Sequence, residues 1–223
     1  MLNESKGNMY EFVTHTWNAI KGECEHDCSY CFMKRWGHLR AVRLEETEFR
    51  TNLGQDNFIF VGSSTDDFAA NIPGKWIVRM LDWCDNFDNR YLFQSKNPGR
   101  ILEFVGHPVF RKAVVCTTIE TNRHYPDIMR NSPPTPARAE AMSKIAALGI
   151  PTYVTSEPLM DFDLPELVGL LRQCNPQQVN IGRNSRREVQ LPEPDALQVW
   201  ELIDEVKKFS KVVVKKNAAR WML

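Results

Sequence analysis

Cys24, Cys28 and Cys31 stand in a C-x3-C-x2-C arrangement, three of the chain's six cysteines within eight residues. Clustered thiols in a reducing compartment serve as metal ligands or redox groups. Three thiolates in one loop hold three corners of a cubane iron–sulfur cluster, which ordinarily takes four cysteines. The fourth iron is then open to another ligand, and an open metal position makes a reactive site rather than a sealed one. The rival chemistry is a structural zinc site built from the same thiols with His26 or a distant fourth ligand. Zinc loops usually recruit ligands as two pairs, and no second Cys or Cys/His pair follows downstream. Cys84, Cys116 and Cys174 lie singly in apolar segments and read as buried small hydrophobes. Cys116 falls on an expected strand, from which it can point inward.

The cysteine loop needs a scaffold, and the rest of the chain supplies alternating β-rich and helix-period segments. Strands are expected at 10–17, 57–62, 91–95, 113–119, 152–155 and 178–181, with a seventh at 211–214. Helices are expected at 29–43, 73–87, 97–105, 135–148, 164–174 and 195–209. Pro73 and Pro165 suit first turns, Asp195 can cap the last helix, and Gly149 ends the Ala-rich one. Leu197, Trp200, Ile203 and Val206 are the expected buried face of the last helix.

Repeated β-loop-α units without hairpin signals predict an α/β fold with a largely parallel sheet. A complete eight-unit barrel takes about 250 residues. At 223 residues, a partial, open barrel forming a single domain over 1–223 fits better. In such parallel architectures ligands bind at the carboxyl ends of the strands.

Composition excludes more than it assigns. Lys plus Arg number 28 and Asp plus Glu 28, which rules out a histone-like blanket of charge. No apolar run reaches the ~18 to 20 residues of a membrane span, and residues 1–10 lack an apolar signal-peptide core, so a cytoplasmic protein is expected.

The cysteine spacing, with aromatic Tyr30 before the last cysteine, resembles the signature of radical S-adenosylmethionine (radical SAM) enzymes. The resemblance implies a partial (β/α)6 barrel, a 4Fe-4S cluster on Cys24, Cys28 and Cys31, and SAM chelated to the open iron. Further stretches resemble a small phage and bacterial family distantly similar to spore photoproduct lyases. They are Thr16-Trp17-Asn18, Phe60 to Asp66, Gln94-Ser95-Lys96, Thr118 to Asn122, Ala137-Arg138-Ala139, Ser156-Glu157-Pro158 and Asn180-Ile181-Gly182.

Roles for the strand-end residues follow from that resemblance. Tyr30 is expected beside adenine, Ser63 and Ser64 at the SAM amino group in place of a glycine-rich segment, and Lys96 at its carboxylate. Lys96 has a solvated surface lysine as its alternative, and Asn97 can cap the following helix. Glu120 is expected to accept the ribose hydroxyls, as acidic residues do in dinucleotide sites, with Thr118 adding a weaker bond. Ser156 and Glu157 face the same mouth, and Glu157 either bonds SAM or substrate or pairs with Arg183. Asp66 and Asp67 either face substrate or serve as loop caps.

Arg183, Arg186 and Arg187, with Lys215, Lys216 and Arg220, give local basic density, and Lys34, Arg35, Arg40 and Arg43 add a second run. They are either a solvated face or, at the mouth, a phosphate-binding rim; Arg183 and Lys216 are the substrate candidates among them. Trp17, Trp36 and Trp221 either stack on a base or are core. The expectation is a radical SAM enzyme that abstracts hydrogen from a nucleic-acid base or nucleotide, served by a reductant protein such as flavodoxin or ferredoxin. A small-molecule or peptide substrate, and a zinc-stabilised non-enzymatic binding module, are the alternatives.

Overall fold

A computed structural model of the chain describes residues 1–186 and 188–221. Arg187 lies outside the described residues, as does the side chain of Arg220. The strands are β1 (Asn3–Glu4), β2 (His15–Trp17), β3 (Ile20–Lys21), β4 (Arg43–Leu44), β5 (Phe58–Val61), β6 (Arg90–Gln94), β7 (Ala113–Thr118), β8 (Thr152–Ser156), β9 (Gln178–Ile181) and β10 (Lys211–Val214). The helices are α1 (Gly74–Asp85), α2 (Pro98–Ile101), α3 (Pro126–Met129), α4 (Thr135–Ala147), α5 (Leu164–Gln173) and α6 (Ala196–Lys207).

One 8-stranded sheet runs in the order β1-β2-β5-β6-β7-β8-β9-β10. Every pair from β2 to β10 is parallel, while β1 adds antiparallel to β2 at one edge. Among the described residues the edge strands β1 and β10 do not pair, so the barrel is open, as its length predicts. No helix is long and apolar enough to cross a membrane among the described residues.

Period-two alternation sorts the strand side chains into two cores. Ile59, Val61, Tyr91, Phe93, Val115 and Val154 pack with the helices on one side of the sheet. Phe58, Phe60, Leu92, Val114 and Cys116 face the other, inner side, where Tyr10 and Val13 join them. The inner face is therefore filled by the segment before β2. Tyr10 stacks on Phe12 at 5.3 Å, and its hydroxyl donates to Gln94 Oε1 at 2.8 Å. The strand expected at 10–17 is accordingly confined to His15–Trp17.

Two expected helices are cut short. Where 29–43 suggested a helix, only a 3-10 turn at Phe32–Trp36 forms; Gly37, at φ +74°, terminates it, and the chain extends into β4, which pairs with β3. Where 97–105 suggested a helix, α2 covers Pro98–Ile101. Asn97 does not cap it with its side chain, which instead donates to the Phe68 carbonyl at 3.2 Å. Pro73 sits just before α1 rather than in its first turn, whereas Pro165 opens α5 as expected.

The buried face of α6 is Val199, Leu202, Ile203 and Val206; Leu197 and Trp200 are 67% and 42% exposed. A strict spacing of three drifts around a helix of 3.6 residues per turn, and only alternation of three and four holds one stripe. Asp195 caps α6 as expected, in a reciprocal box with Gln198.

Candidate functional site

The cysteine loop follows β2 and is held by backbone contacts from three directions. Gly22 has φ +122°, and a Cβ there would lie 2.6 Å from the Ala41 carbonyl oxygen, so the return strand presses directly on glycine. The Thr65 hydroxyl donates to the Gly22 carbonyl at 2.8 Å. Ser29 N–H donates to the Ile128 carbonyl at 2.9 Å, and Asn131 N–H to that of His26 at 3.2 Å. Within the loop, Asp27 N–H bonds the Cys24 carbonyl at 3.2 Å and Cys31 N–H that of Cys28 at 3.1 Å, which winds the three cysteines into successive tight turns.

All three cysteines line a single cavity of about 850 Å³. Burial, with the charge of Asp66 adding to it, pushes the Cys24 thiol up to about 12; burial likewise raises Cys31. Thiolates in such surroundings require a bound cation, and sulfur donors on a shared wall suit iron, whose cubane spreads its ligands over separate metal atoms. Among the described residues no three His, Cys, Asp or Glu side chains are grouped to hold one metal ion. His26, the fourth ligand in the zinc alternative, has its Nε2 bonded to Asp66 Oδ2 at 2.8 Å and its Nδ1 buried without a partner, an arrangement that also suits a metal-bound imidazole. Cys84, Cys116 and Cys174 are buried free thiols whose pKa values burial raises, as expected of core residues.

Of the strand-end residues, Tyr30, Ser63, Ser64, Asp66, Lys96, Thr118, Glu157 and Arg183 share the cavity wall with the cysteines. Lys96 is no surface lysine: its side chain is 16% exposed, and its ammonium donates to the Tyr30 hydroxyl at 2.6 Å and to Glu120 Oε1. Ser63 Oγ donates to Asn18 Oδ1 at 3.2 Å, and Ser64 N–H to the same oxygen at 3.1 Å.

Three candidates sit away from the cavity wall, and for Asp66 the loop-cap alternative is the one the geometry matches. Glu120 is wholly buried and is not a lining residue; Arg138, Lys96 and Tyr30 take its oxygens, leaving none turned to a ribose. The cause is Arg138 on α4, a fully buried guanidinium that needs a counter-ion. Asp66 lines the cavity, but its carboxylate accepts from His26, from Lys96 N–H at 2.8 Å and from Phe68 N–H at 3.0 Å, pinning the cysteine loop to the ends of β5 and β6. Ser156 is fully buried off the cavity wall, its Oγ without a bond partner. Lys216 is exposed and off the wall, and Lys215 lines it instead.

Glu157 pairs with Lys215 rather than Arg183, and accepts from Asn8 Nδ2 at 2.6 Å and Asn217 Nδ2 at 2.7 Å. Arg183 is held by Glu193 and lies over Trp221, 4.7 Å from the ring centroid. Trp17 and Trp221 are core. Asp67 is buried off the wall, with neither carboxylate oxygen bonded.

Sequence reasoning gave Lys215 only as part of a basic run and Asn18 only within Thr16-Trp17-Asn18, and missed Asn8 and the His26–Asp66 contact. Lys215 was legible in principle, because it follows Lys211-Val212-Val213-Val214 at a strand's carboxyl end. Asn8 carries no such signal, since it reaches Glu157 across 149 positions of sequence.

No protein-family model matches the sequence, and no curated protein matches it. Solved structures do. Spore photoproduct lyase complexed with dinucleoside spore photoproduct superposes with a TM-score of 0.68 at 10% identity, over 93% of this chain and 78% of that one. A variant of that lyase with bound AdoMet and dinucleoside spore photoproduct gives 0.66 at 11% identity, over 92% and 78%. Streptococcus suis SuiB bound to S-adenosylmethionine gives 0.53 at 8% identity, over 89% of this chain and 46% of SuiB. The chain therefore shares the α/β fold of these radical SAM enzymes.

Proposed function

We propose that this chain is a radical SAM enzyme that takes hydrogen from a nucleic-acid base or nucleotide. The observation that carries the reading is the convergence of Cys24, Cys28 and Cys31 with Lys96, Ser63 and Ser64 on one cavity, at the strand ends of a fold whose solved neighbours hold AdoMet and a dinucleoside. Cys24, Cys28 and Cys31 are the ligands of a 4Fe-4S cluster that leaves one iron for SAM. Bound there, cluster and SAM supply a one-electron cleavage of the sulfonium to methionine and a 5′-deoxyadenosyl radical.

The chain's own residues bind and orient. Lys96 directs two of its three N–H bonds to Tyr30 and Glu120, leaving one for the methionine carboxylate. Ser63 and Ser64, fixed by Asn18, take the amino group. Tyr30 would lie beside adenine and Thr118 would offer a hydroxyl to the ribose, both from the cavity wall. Glu120 acts through Lys96 and Tyr30 as a positioning residue. Glu157, held by Lys215, Asn8 and Asn217, faces the substrate together with Arg183. The cavity walls exclude water and keep the reacting groups close. An electron from a flavodoxin or ferredoxin completes the requirement.

Anaerobic reconstitution tests the metal assignment. About four irons and four sulfides per chain are expected, lost in Cys24→Ala, Cys28→Ala or Cys31→Ala. A colourless protein binding a single zinc would overturn the reading.

A further inference from the structure

Phe32 and Trp36 are large apolar side chains that the fold leaves 43% and 66% exposed. They belong to the 3-10 turn directly after Cys31 and meet edge to face, 5.9 Å between ring centroids at 82°. Phe32 lines the cavity and Trp36 does not, so the pair runs from the cavity wall onto the outer surface.

The surrounding charge is positive. Lys34 and Arg130 share a single partner, Asp27, so the three side chains together keep a net positive charge. Arg35, His38 and Arg40 are exposed on the same stretch. Arg35 donates to a neutral acceptor, the Ser185 carbonyl, and the nearby Glu188 is held by Arg186 at 2.8 Å. Arg40 makes no ion pair with an acid among the described residues, whereas Arg43 faces Glu45 at 3.5 Å. Arg35 and Arg186 share the one acid Glu188, so cations exceed acids there, and exposed aromatics beside such an excess make a surface on which bases stack while phosphates are held.

We propose that Phe32 and Trp36 are a stacking platform for the base next to the one in the cavity, with Arg35 and Arg40 taking its phosphates. The substrate is then a nucleotide within a single strand rather than a free nucleotide. This rests on the nucleic-acid reading of the cavity. Continuity of the platform with the cavity favours a substrate strand over a docked reductant, which needs no access to the cavity.

Fluorescence anisotropy on the reconstituted holoenzyme, with labelled short single-stranded DNA and RNA as probes and mononucleotides as competitors, tests it. Trp36→Ala should weaken oligonucleotide binding about 10- to 100-fold, the range of a lost base stack, and Trp36→Phe should restore most of it. Mononucleotide affinity should stay the same in both. Arg35→Ala with Arg40→Ala should lower the salt slope by about two. Undiminished oligonucleotide binding by Trp36→Ala, in a protein that melts like the wild type, would overturn the platform while leaving the nucleic-acid reading intact. Failure of the wild type to bind either oligonucleotides or mononucleotides would overturn the substrate reading beneath it. Slower reduction by flavodoxin in Trp36→Ala, with oligonucleotide binding unchanged, would give the surface to the reductant instead.

Discussion

Glu120 and Arg138 meet at 2.8 Å with both side chains wholly excluded from solvent. The same carboxylate accepts from Lys96, at the end of β6, and from Tyr30, the neighbour of Cys31. One buried anion thus joins a helix, a strand end and the cysteine loop, and the groups proposed to position SAM are tied directly to the fold.

Removing one partner of such a pair leaves a charge buried without its complement. Arg138→Leu should lower stability by about 3 to 5 kcal/mol in chemical denaturation. The double change Arg138→Leu with Glu120→Leu should recover part of that loss in stability while weakening SAM binding, because Lys96 and Tyr30 lose their anchor. A single variant as stable as the wild type would contradict the assigned role.

Acid should expose the same group. Burial alone would raise the Glu120 pKa, but the charges of Arg138 and Lys96 and the bonds from Lys96 and Tyr30 outweigh it and hold the carboxyl at about 2, below its ordinary 4.5. A depressed folded-state pKa stabilises above the unfolded value and is lost as pH falls through the folded one. The stability difference between wild type and Glu120→Gln should therefore shrink from about pH 4.5 toward pH 2, as read by urea denaturation at a series of pH values. A difference that is flat across that window would refute the charged, paired carboxylate.

Asp67 predicts the opposite slope. It is buried, its oxygens have no partner, and burial together with Asp66 pushes its pKa well above the ordinary value. As pH rises past the ordinary carboxylate range the unfolded chain ionises here while the folded chain stays protonated, so stability falls with pH. Asp67→Asn should remove that component, its stability relative to the wild type improving between pH 4 and pH 7. Equal pH dependence in the two proteins would mean that Asp67 is ionised.

Gly22 allows a direct check on the cysteine loop. Any side chain there meets the carbonyls of Arg40 and Ala41 and must also adopt φ +122°. Gly22→Ala should cost about 1 to 3 kcal/mol and lower iron retention after reconstitution. Full iron content at wild-type stability would show that the loop does not depend on this approach.

The strand-loop-helix rhythm and the open parallel barrel were legible because apolar runs and caps recur in order, and seven of the strands fall where apolar runs stand. The meeting of Cys24, Cys28 and Cys31 on one wall was equally legible, because they are adjacent in sequence. What escaped was long-range pairing. Glu120 reads as a free strand-end carboxylate until Arg138, 18 positions later, is found buried against it. Lys215 and Lys216 look alike in sequence, but Lys215 directly follows β10 and lines the cavity, whereas Lys216 opens the 3-10 turn beyond it. Residues 10–14 read as strand, yet Tyr10 and Val13 fill the open inner face that an incomplete barrel leaves bare.

The central claim stands on cleavage of SAM. The anaerobically reconstituted protein, reduced with dithionite and given SAM, should yield 5′-deoxyadenosine and methionine, and the Cys28→Ala protein should yield neither. An intact cluster that binds SAM but never forms 5′-deoxyadenosine, with or without oligonucleotide present, would contradict the account.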